Sequence, residues 1–254
     1  VKALEEISLA PQISGTITWQ SKKLLQGGAF KKGELLFEVD DSDYKIQYDV
    51  AKAELQKAKE ELERVKGQAK VARAEWELMK VFLEEEGKEI PPEPNALVLF
   101  GPQRKRAKAA VNATIANLKQ ASLNLDRTNV VAPFDGFISS EKIDLGQYVR
   151  AGESVLEFLG SSAVEVLVPL SAGEFWWLEY GLLEKKKLPA KVLLEVNTKE
   201  FSWEARLERV LGDLDGRGRL YRAAVRVTDP YAQRFPLRVG TFVEVEIDAG
   251  TVSY

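Results

Sequence analysis

Histidine and cysteine, two side chains that many catalytic and metal sites use, are absent from this chain. None of its 254 residues is a cysteine or a histidine, and Met79 is the one methionine. A catalytic triad with a histidine base, a disulfide framework and a site built on thiolate or imidazole ligands are therefore excluded. We expect no enzyme activity, no cofactor and no tightly held transition metal.

Three short motifs could still bind a ligand, but a structural explanation is favoured for each. The acidic run 40–43 (Asp-Asp-Ser-Asp) lacks the spacing of an EF-hand calcium loop and suits the N-terminus of a helix, where carboxylates meet the positive end of the dipole. Gly216-Arg217-Gly218 lacks the other glycines and the lysine of a phosphate-binding loop and indicates a turn. The basic cluster Arg104–Lys108 could attract an acidic partner, but a solvated helix face explains it more simply.

Charge and hydropathy exclude further classes of function. The formal net charge of −3 gives no overall attraction to nucleic acid, so we expect no nucleic-acid partner. No uninterrupted apolar run reaches the length of a membrane span, and no signal peptide is present. Val1 already lies in a stretch that has the sequence pattern of a strand. We therefore expect an export signal or a membrane anchor to precede it in the full protein.

The strongest pattern in the chain is a heptad repeat between residues 41 and 129. Two apolar seams, separated by one break, step by three and four residues, which predicts an antiparallel coiled-coil hairpin. The first arm alone would reach on the order of 60 Å. The seam positions of the first arm are Tyr44, Tyr48, Ala51, Leu55, Ala58, Leu62, Val65, Ala69, Ala72, Trp76, Met79 and Leu83; those of the second arm are Val111, Thr114, Leu118, Ala121 and Leu125.

The break between the arms leaves two questions open. A glycine at 87 and prolines at 91, 92 and 94 end the first helix and predict a tip near 87–93. The second helix begins either near Pro94, with a kink at Gly101-Pro102, or at Pro102. The earlier start is weakly favoured, because basic residues in a first turn oppose the helix dipole. The apolar run Ala96–Phe100 either packs on the first arm or is exposed for a partner.

The rest of the chain has the sequence pattern of short β-strands. Residues 7–39 and 130–160 flank the hairpin, and from Ala163 onward the pattern is all-β with one short helix at 171–181. Alternating apolar residues, among them Phe242, Val243, Val245 and Ile247, mark the later strands. The predicted strands are 163–169, 190–196, 201–209, 220–227 and 241–247.

The two flanks of the hairpin repeat one motif. The first contains Ala10–Gly15, then Gly27 and Gly33-Glu34; the second contains Ala132–Gly136, then Gly146 and Gly152-Glu153. The spacing between the last two glycines is the same in both. Neither half could bury a face alone, so the two are expected to form one β-sandwich with the hairpin inserted between them.

This arrangement resembles the membrane fusion protein family of periplasmic adaptors. Residues 132–136 followed by Gly146-Gln147-Tyr148-Val149 are similar to that family's second half-motif, and Leu237-Arg238-Val239-Gly240 is similar to its barrel. The resemblance implies an α+β multidomain fold. Its domains would be a split biotinyl-lipoyl-like β-sandwich (7–40 and 130–160), an α-helical coiled-coil hairpin (41–129) and a six-stranded type of β-barrel with one short helix (161–250).

The resemblance also implies a function. The chain would be a non-catalytic adaptor of a tripartite efflux or secretion pump, forming a trimer or hexamer between an inner-membrane transporter and an outer-membrane channel. The transporter could be of the resistance-nodulation-division, ABC or major-facilitator type. Few residues remain before Ile7 or after Ile247, so a further membrane-proximal domain is expected to be absent. The expected location is the periplasm, with an anchor in a preceding N-terminal segment.

Two other functions stay open at this point. A lipoyl or biotinyl carrier would need a modified lysine on the turn that the hairpin replaces; Lys45 lies near it, but no Met-Lys-Met motif is present and the heptad places Lys45 on a helix face. A general coiled-coil interaction scaffold is the third hypothesis.

The sequence offers two candidate contact sites, the first of which is implied by the resemblance. The family's hairpin tip meets the channel through an Arg, a Leu and a Ser, but here Met79 stands for the Arg and Ile90 or Pro91 for the Ser. Trp176 and Trp177 could contact the transporter or a neighbouring copy, although the favoured interpretation is that at least one covers the barrel core. The residues expected at the docking tip are Leu83, Glu84, Glu85, Glu86, Gly87 and Ile90.

Overall fold

The structure, a computed structural model, describes residues 1–89, 99–184, 188–197, 199–211 and 220–248. The chain has the predicted α+β class and divides into two compact units. One unit is Val39–Asn129, and the other joins Val1–Glu38 to Val130–Tyr254.

The first of these units is built from two antiparallel helices, α1 (Ser42–Glu85) and α2 (Gly101–Asp126). The N-terminal turns of α1 lie beside the C-terminal turns of α2, since Ala51 and Ala121 line one groove between the helices. A second groove pairs Val65 with Ala107. The two helices therefore run past each other as a hairpin does.

The predicted seam is the shielded face of α1. Eleven of its twelve positions are buried or half-buried, and every other residue of α1 is exposed. Met79 is the exception, because it is exposed although the heptad places it on the seam. On α2 all five predicted positions are likewise shielded, and Ala107 extends the same spacing by one further turn.

The acidic run precedes α1 as the sequence predicts, but the capping group is one residue earlier than the N-cap position. An Asp40 carboxylate oxygen accepts hydrogen bonds from the Ser42 hydroxyl (2.6 Å) and the Ser42 N–H (3.0 Å), while Asp41, at the N-cap, makes no such bond. These bonds to Ser42 lower the pKa of Asp40. The acidic run therefore supplies a hydrogen-bond acceptor to the start of α1, where backbone N–H groups have no partner within the helix.

The helix α2 begins at the later of the two predicted starts. Phe100 adopts a left-handed backbone conformation (φ 56°), and Pro102 occupies the first turn, where its missing N–H costs nothing. Pro94, the earlier of the two predicted starts, lies outside the described residues. Most of the predicted tip and of the apolar run 96–100 lies outside the described residues.

Among the described residues, the other unit has fourteen strands, two of which border the hairpin in sequence, and one helix. They form three antiparallel sheets. In chain order the elements are β1 (Lys2–Ala3), β2 (Glu6–Leu9), β3 (Gly15–Gln20), β4 (Ala29–Phe30), β5 (Leu35–Val39), β6 (Asn129–Val131), β7 (Gly136–Glu141), β8 (Tyr148–Val149), β9 (Leu156–Gly160), β10 (Ala163–Leu170), α3 (Ala172–Glu184), β11 (Leu188–Val196), β12 (Lys199–Leu211), β13 (Tyr221–Thr228) and β14 (Glu244–Ile247).

Two four-stranded sheets interleave the halves that flank the hairpin. Their orders are β2-β9-β7-β4 and β6-β5-β3-β8, so each sheet takes two strands from each half. The hydrogen bonds repeat with the same symmetry. Ile17 N–H donates to the Gln147 carbonyl (2.9 Å), and Ile138 N–H donates to the Gly28 carbonyl (3.0 Å). Because each half supplies partners to the other, neither can complete a sheet alone.

The remaining six strands form one sheet in the order β1-β10-β13-β12-β11-β14. Four of the five predicted strands agree with β10, β11, β12 and β13. The fifth is shorter than predicted, because Thr241 N–H donates to the Arg238 carbonyl in a turn and the strand begins only at Glu244. Phe242 falls in that turn region and is almost fully exposed, whereas Val243, Val245 and Ile247 pack on the core.

Candidate partner-binding site

The described residues include acidic side chains and one lysine that were candidates for ligand chemistry. No group of three or more acidic residues among them could hold a metal ion. Lys45, the possible carrier lysine, lies in the first turn of α1 and forms an ion pair with Asp41 (2.8 Å). Within the part of the chain that the structure describes, no helix has the length and apolar content of a membrane span.

The C-terminal end of α1 is defined by a backbone motif. Gly87 has a positive φ (65°); its N–H donates to the Glu84 carbonyl (3.2 Å), and the N–H of Lys88 donates to the Leu83 carbonyl (3.0 Å). This pair of bonds is a Schellman motif, which a glycine permits at no steric cost. Gly87 therefore ends the first helix as predicted and fixes where Leu83 stands relative to the helix end.

Leu83 and three carboxylates share this helix end. Leu83 is half-buried at the last seam position, whereas Glu84, Glu85, Glu86 and Gly87 are exposed. Glu86 pairs with Lys88. Carboxylates at a C-terminus oppose the helix dipole and typically cost about 0.3–1 kcal/mol each. The cluster therefore does not serve helix stability, which makes it a candidate contact surface. Ile90, the sixth predicted residue, lies outside the described residues.

The helix α3 carries the second candidate site and begins with a capping box. Ser171 N–H and the Ser171 hydroxyl both donate to a Glu174 carboxylate oxygen (2.7 Å each), and Glu174 N–H donates back to the hydroxyl oxygen (3.4 Å). The hydroxyl bond, followed by the backbone bond, lowers the pKa of Glu174. This reciprocal cap fixes the start of the helix that presents the two tryptophans.

Neither tryptophan of α3 lies in the core. Trp176 is 73% and Trp177 is 50% exposed. The inward contacts come instead from Leu178, which is buried in the core cluster, and from Phe175, which stacks on Tyr221 at 4.0 Å. The interpretation that one tryptophan covers the core is therefore wrong. The sequence could have shown this, because Leu178 is a better core residue than either large indole.

Comparisons with known proteins agree with this architecture. A family model described as the barrel-sandwich hybrid domain of RND MFP proteins matches residues 5–158. A Haemophilus influenzae protein is 27% identical over 68% of this chain and 38% of its own length. The multidrug export protein AcrE of Escherichia coli is 26% identical over 94% of this chain and 60% of its own. The chain thus spans less than two thirds of either curated relative.

A solved structure shows the same fold. It is a chimeric MacA-MexA protein that contains the α-hairpin domain of Pseudomonas aeruginosa MexA, with 21% identity, a TM-score of 0.66 and coverage of 99% of this chain and 80% of that one. The family model covers more than half of the 254 residues, including both interleaved halves and the helices between them. The chain therefore belongs to the membrane fusion protein family.

Proposed function

We propose that this chain is the adaptor that couples an inner-membrane transporter to an outer-membrane channel in a tripartite efflux or secretion pump. The proposal rests mainly on how little of the long helix α1 is buried. Only Ala51 and Val65 of its 44 residues are buried, although the helix spans about 65 Å. A hairpin that exposes so much surface per buried residue is a poor means of stabilising a fold, so reach is the better explanation of its length.

The mechanism proposed is geometric and needs no catalytic residue. Copies of the chain, three or six in number, surround a conduit, and substrate passes inside it. The two interleaved sheets form the split lipoyl-like domain of the ring. The six-stranded sheet is proposed to be a closed barrel, an arrangement supported by the bond from Gly240 N–H to the Val1 carbonyl (2.9 Å) between segments next to its two edge strands.

Two surfaces are proposed to meet the pump's other components. The α1 end, with Leu83, Glu84, Glu85, Glu86 and Gly87, together with Ile90, docks to the channel. Trp176 and Trp177 contact the transporter or a neighbouring copy, because large exposed aromatics are the residues that most often dominate interfaces. The whole protein is placed in the periplasm and anchored through a preceding N-terminal segment. AcrE is named a multidrug export protein, which supports a drug-like substrate.

The proposal is tested by genetic removal and biochemical capture together. Deleting the gene from its source bacterium should raise susceptibility to at least one class of toxic compound, and the full-length protein should restore resistance. Affinity purification of that protein after crosslinking in cells should recover an inner-membrane transporter and an outer-membrane channel. Unchanged export, with neither component recovered, would contradict the adaptor function.

A further inference from the structure

The β-strand unit contains a cavity of about 490 Å³ that the proposed adaptor mechanism does not use. Its lining comes from three parts of the chain: the turn around residues 26–29, strands β7 and β9, and the segment that follows β13. Pockets that bind small molecules typically measure about 300–1,000 Å³, so this one has the size of a ligand site. We call it the Tyr231 pocket, after the tyrosine in its wall.

The floor of the Tyr231 pocket is the outer face of one four-stranded sheet. Ala29 of β4 pairs with Phe137 of β7, which pairs in turn with Leu159 of β9. Cross-strand partners point to the same face of a sheet. Ile138, the next residue along β7, points to the opposite face and is fully buried. The floor is therefore an apolar surface that the interior of the sandwich does not use.

One wall of the pocket is held by the core of the six-stranded sheet. The ring of Tyr231 meets the ring of Phe137 edge to face, with 5.5 Å between their centroids. Further along the same segment, Leu237 is fully buried in that core, and its N–H donates to the Pro230 carbonyl (2.9 Å). These contacts anchor the wall at both ends, so the pocket is preformed.

Two polar groups that line this apolar pocket are available to a ligand. Arg238 is the one charged side chain among the described residues of the lining; it is exposed, and within the described part of the chain it forms no ion pair. The hydroxyl oxygen of Tyr231 is buried and has no hydrogen-bond partner of good geometry, although Arg238 and the Val239 backbone act on it.

The tyrosine hydroxyl is a donor in need of an acceptor. Burial raises the pKa of Tyr231, so the hydroxyl is protonated at neutral pH. Burying a hydroxyl without a good hydrogen bond costs free energy, and such groups are rare in folded proteins. A negatively charged oxygen placed beside Arg238 would satisfy both side chains at once.

We propose that the Tyr231 pocket binds a small amphipathic carboxylate. The guanidinium of Arg238 pairs with the carboxylate, to which the Tyr231 hydroxyl also donates, and the apolar body of the ligand lies on the floor against Phe137. Arginine suits this task because its planar fork matches a carboxylate with two parallel hydrogen bonds. The inference goes beyond the adaptor function and does not depend on it.

The charge of the lining decides between classes of ligand. The described lining residues include one cation and no carboxylate, so a cationic ligand would find no counter-charge there. A ligand with several phosphates would meet only one cation. A carboxylate with an aromatic or aliphatic body is the class that matches both the single arginine and the apolar floor.

Calorimetric titration of the purified protein tests the proposal with two matched probes. Naphthalene-2-carboxylate carries the charge and an aromatic body, and naphthalene-2-carboxamide keeps the shape without the charge. We expect the carboxylate to bind at least tenfold more tightly than the carboxamide and to raise the melting temperature of the protein. Equal affinities for the two probes, or no saturable binding of the carboxylate at millimolar concentration, would overturn the proposal.

Two variants assign the binding to the named side chains. Arg238→Gln should weaken carboxylate binding at least tenfold and leave carboxamide binding unchanged. Arg234→Gln is the matched control, because Arg234 is exposed on the same segment but is not part of the lining, and it should bind both probes as the wild type does. Wild-type affinity of Arg238→Gln for the carboxylate would show that the pocket is not the site.

Tyr231→Phe separates a ligand contact from a structural role. It removes the hydroxyl and keeps the ring that packs on Phe137. Because the hydroxyl has no good partner in the protein, the melting temperature without ligand should not fall, whereas carboxylate affinity should fall several-fold. A lower melting temperature with unchanged affinity would mean that the hydroxyl is structural, which contradicts the proposed binding mode.

Discussion

A hydrogen bond between Val39 and Thr128 links the point where the chain enters the hairpin to the point where it comes out of it. The N–H of Val39 donates to the Thr128 carbonyl at 2.9 Å, and both residues are buried. The Thr128 hydroxyl in turn donates to the Leu125 carbonyl (2.7 Å), the last seam position of α2. The 88 residues between them can therefore be regarded as an insertion whose two ends are already closed by a hydrogen bond.

Removing the hairpin should consequently leave the β-strand unit folded. A variant that lacks residues 44–127 and joins the flanks with a short turn keeps Val39, Thr128 and every strand of the two interleaved sheets. We expect a single cooperative transition on heating, monitored by circular dichroism in the β-sheet region. A gradual, non-cooperative melt of this variant would show that the two halves depend on the hairpin.

A pair of glycine substitutions tests the close packing of β7 against β9. A Cβ at Gly136 would lie 2.1 Å from the Leu159 carbonyl oxygen and 2.8 Å from the ring of Phe158, so backbone must shift. Gly136→Ala should lower the free energy of unfolding by ~1–3 kcal/mol or more. Gly67→Ala, in the middle of α1, meets no atom within 4 Å and should raise the stability of the helix by ~0.5–1 kcal/mol.

Urea unfolding of both variants and of the wild type provides the measurement. Gly67→Ala is the matched control, because any Gly→Ala change reduces the backbone freedom of the unfolded chain. A Gly136→Ala protein as stable as the wild type would mean that β7 and β9 do not pack as described.

The capping box of α3 predicts a pH dependence with a definite sign. Hydrogen bonds from Ser171 hold the pKa of Glu174 below its ordinary value of 4.5. A carboxyl whose folded pKa is depressed stabilises the fold above the unfolded value and loses that contribution as the pH falls through the folded value. An NMR titration should find the Glu174 midpoint below 4.5 in the wild type, and Ser171→Ala should move it upward. An unmoved midpoint would show that the hydroxyl does not cap the carboxylate.

Sequence reasoning predicted the regular parts of this fold and missed the irregular ones. The heptad positions identified the shielded face of α1, and the repeated glycine spacing located the interleaved halves; Gly27, Gly33, Gly146 and Gly152 all have positive φ. A periodic pattern repeats over many residues and is therefore a strong signal, which is why these features could be predicted from the sequence. A one-residue event such as the left-handed Phe100 has no periodic signal, which is why the start of α2 stayed open.

The candidate contact sites were harder to predict for a related reason. A pair of tryptophans can equally fill a core or face a partner, and only the packing of Leu178 and Phe175 decides between them.

The end and the middle of the seam have different roles in the proposed adaptor. Leu83 ends the seam beside the Schellman motif, and Leu55 lies in the middle of it; both are half-buried. Leu83→Ala should cost no more than the low end of the ~2–5 kcal/mol typical of buried leucines, because a helix end frays. Leu55→Ala should cost more, and its effect on docking should follow from the loss of helix stability.

The most direct test pairs export in cells with thermal unfolding of the purified proteins. For Leu83→Ala, and for charge reversal at Glu84, Glu85 and Glu86, the account predicts a large loss of export in proteins that remain folded. Leu55→Ala should show the larger loss of stability of the two leucine variants. Normal export by folded Leu83→Ala and charge-reversed proteins would contradict the docking of this hairpin end to a channel.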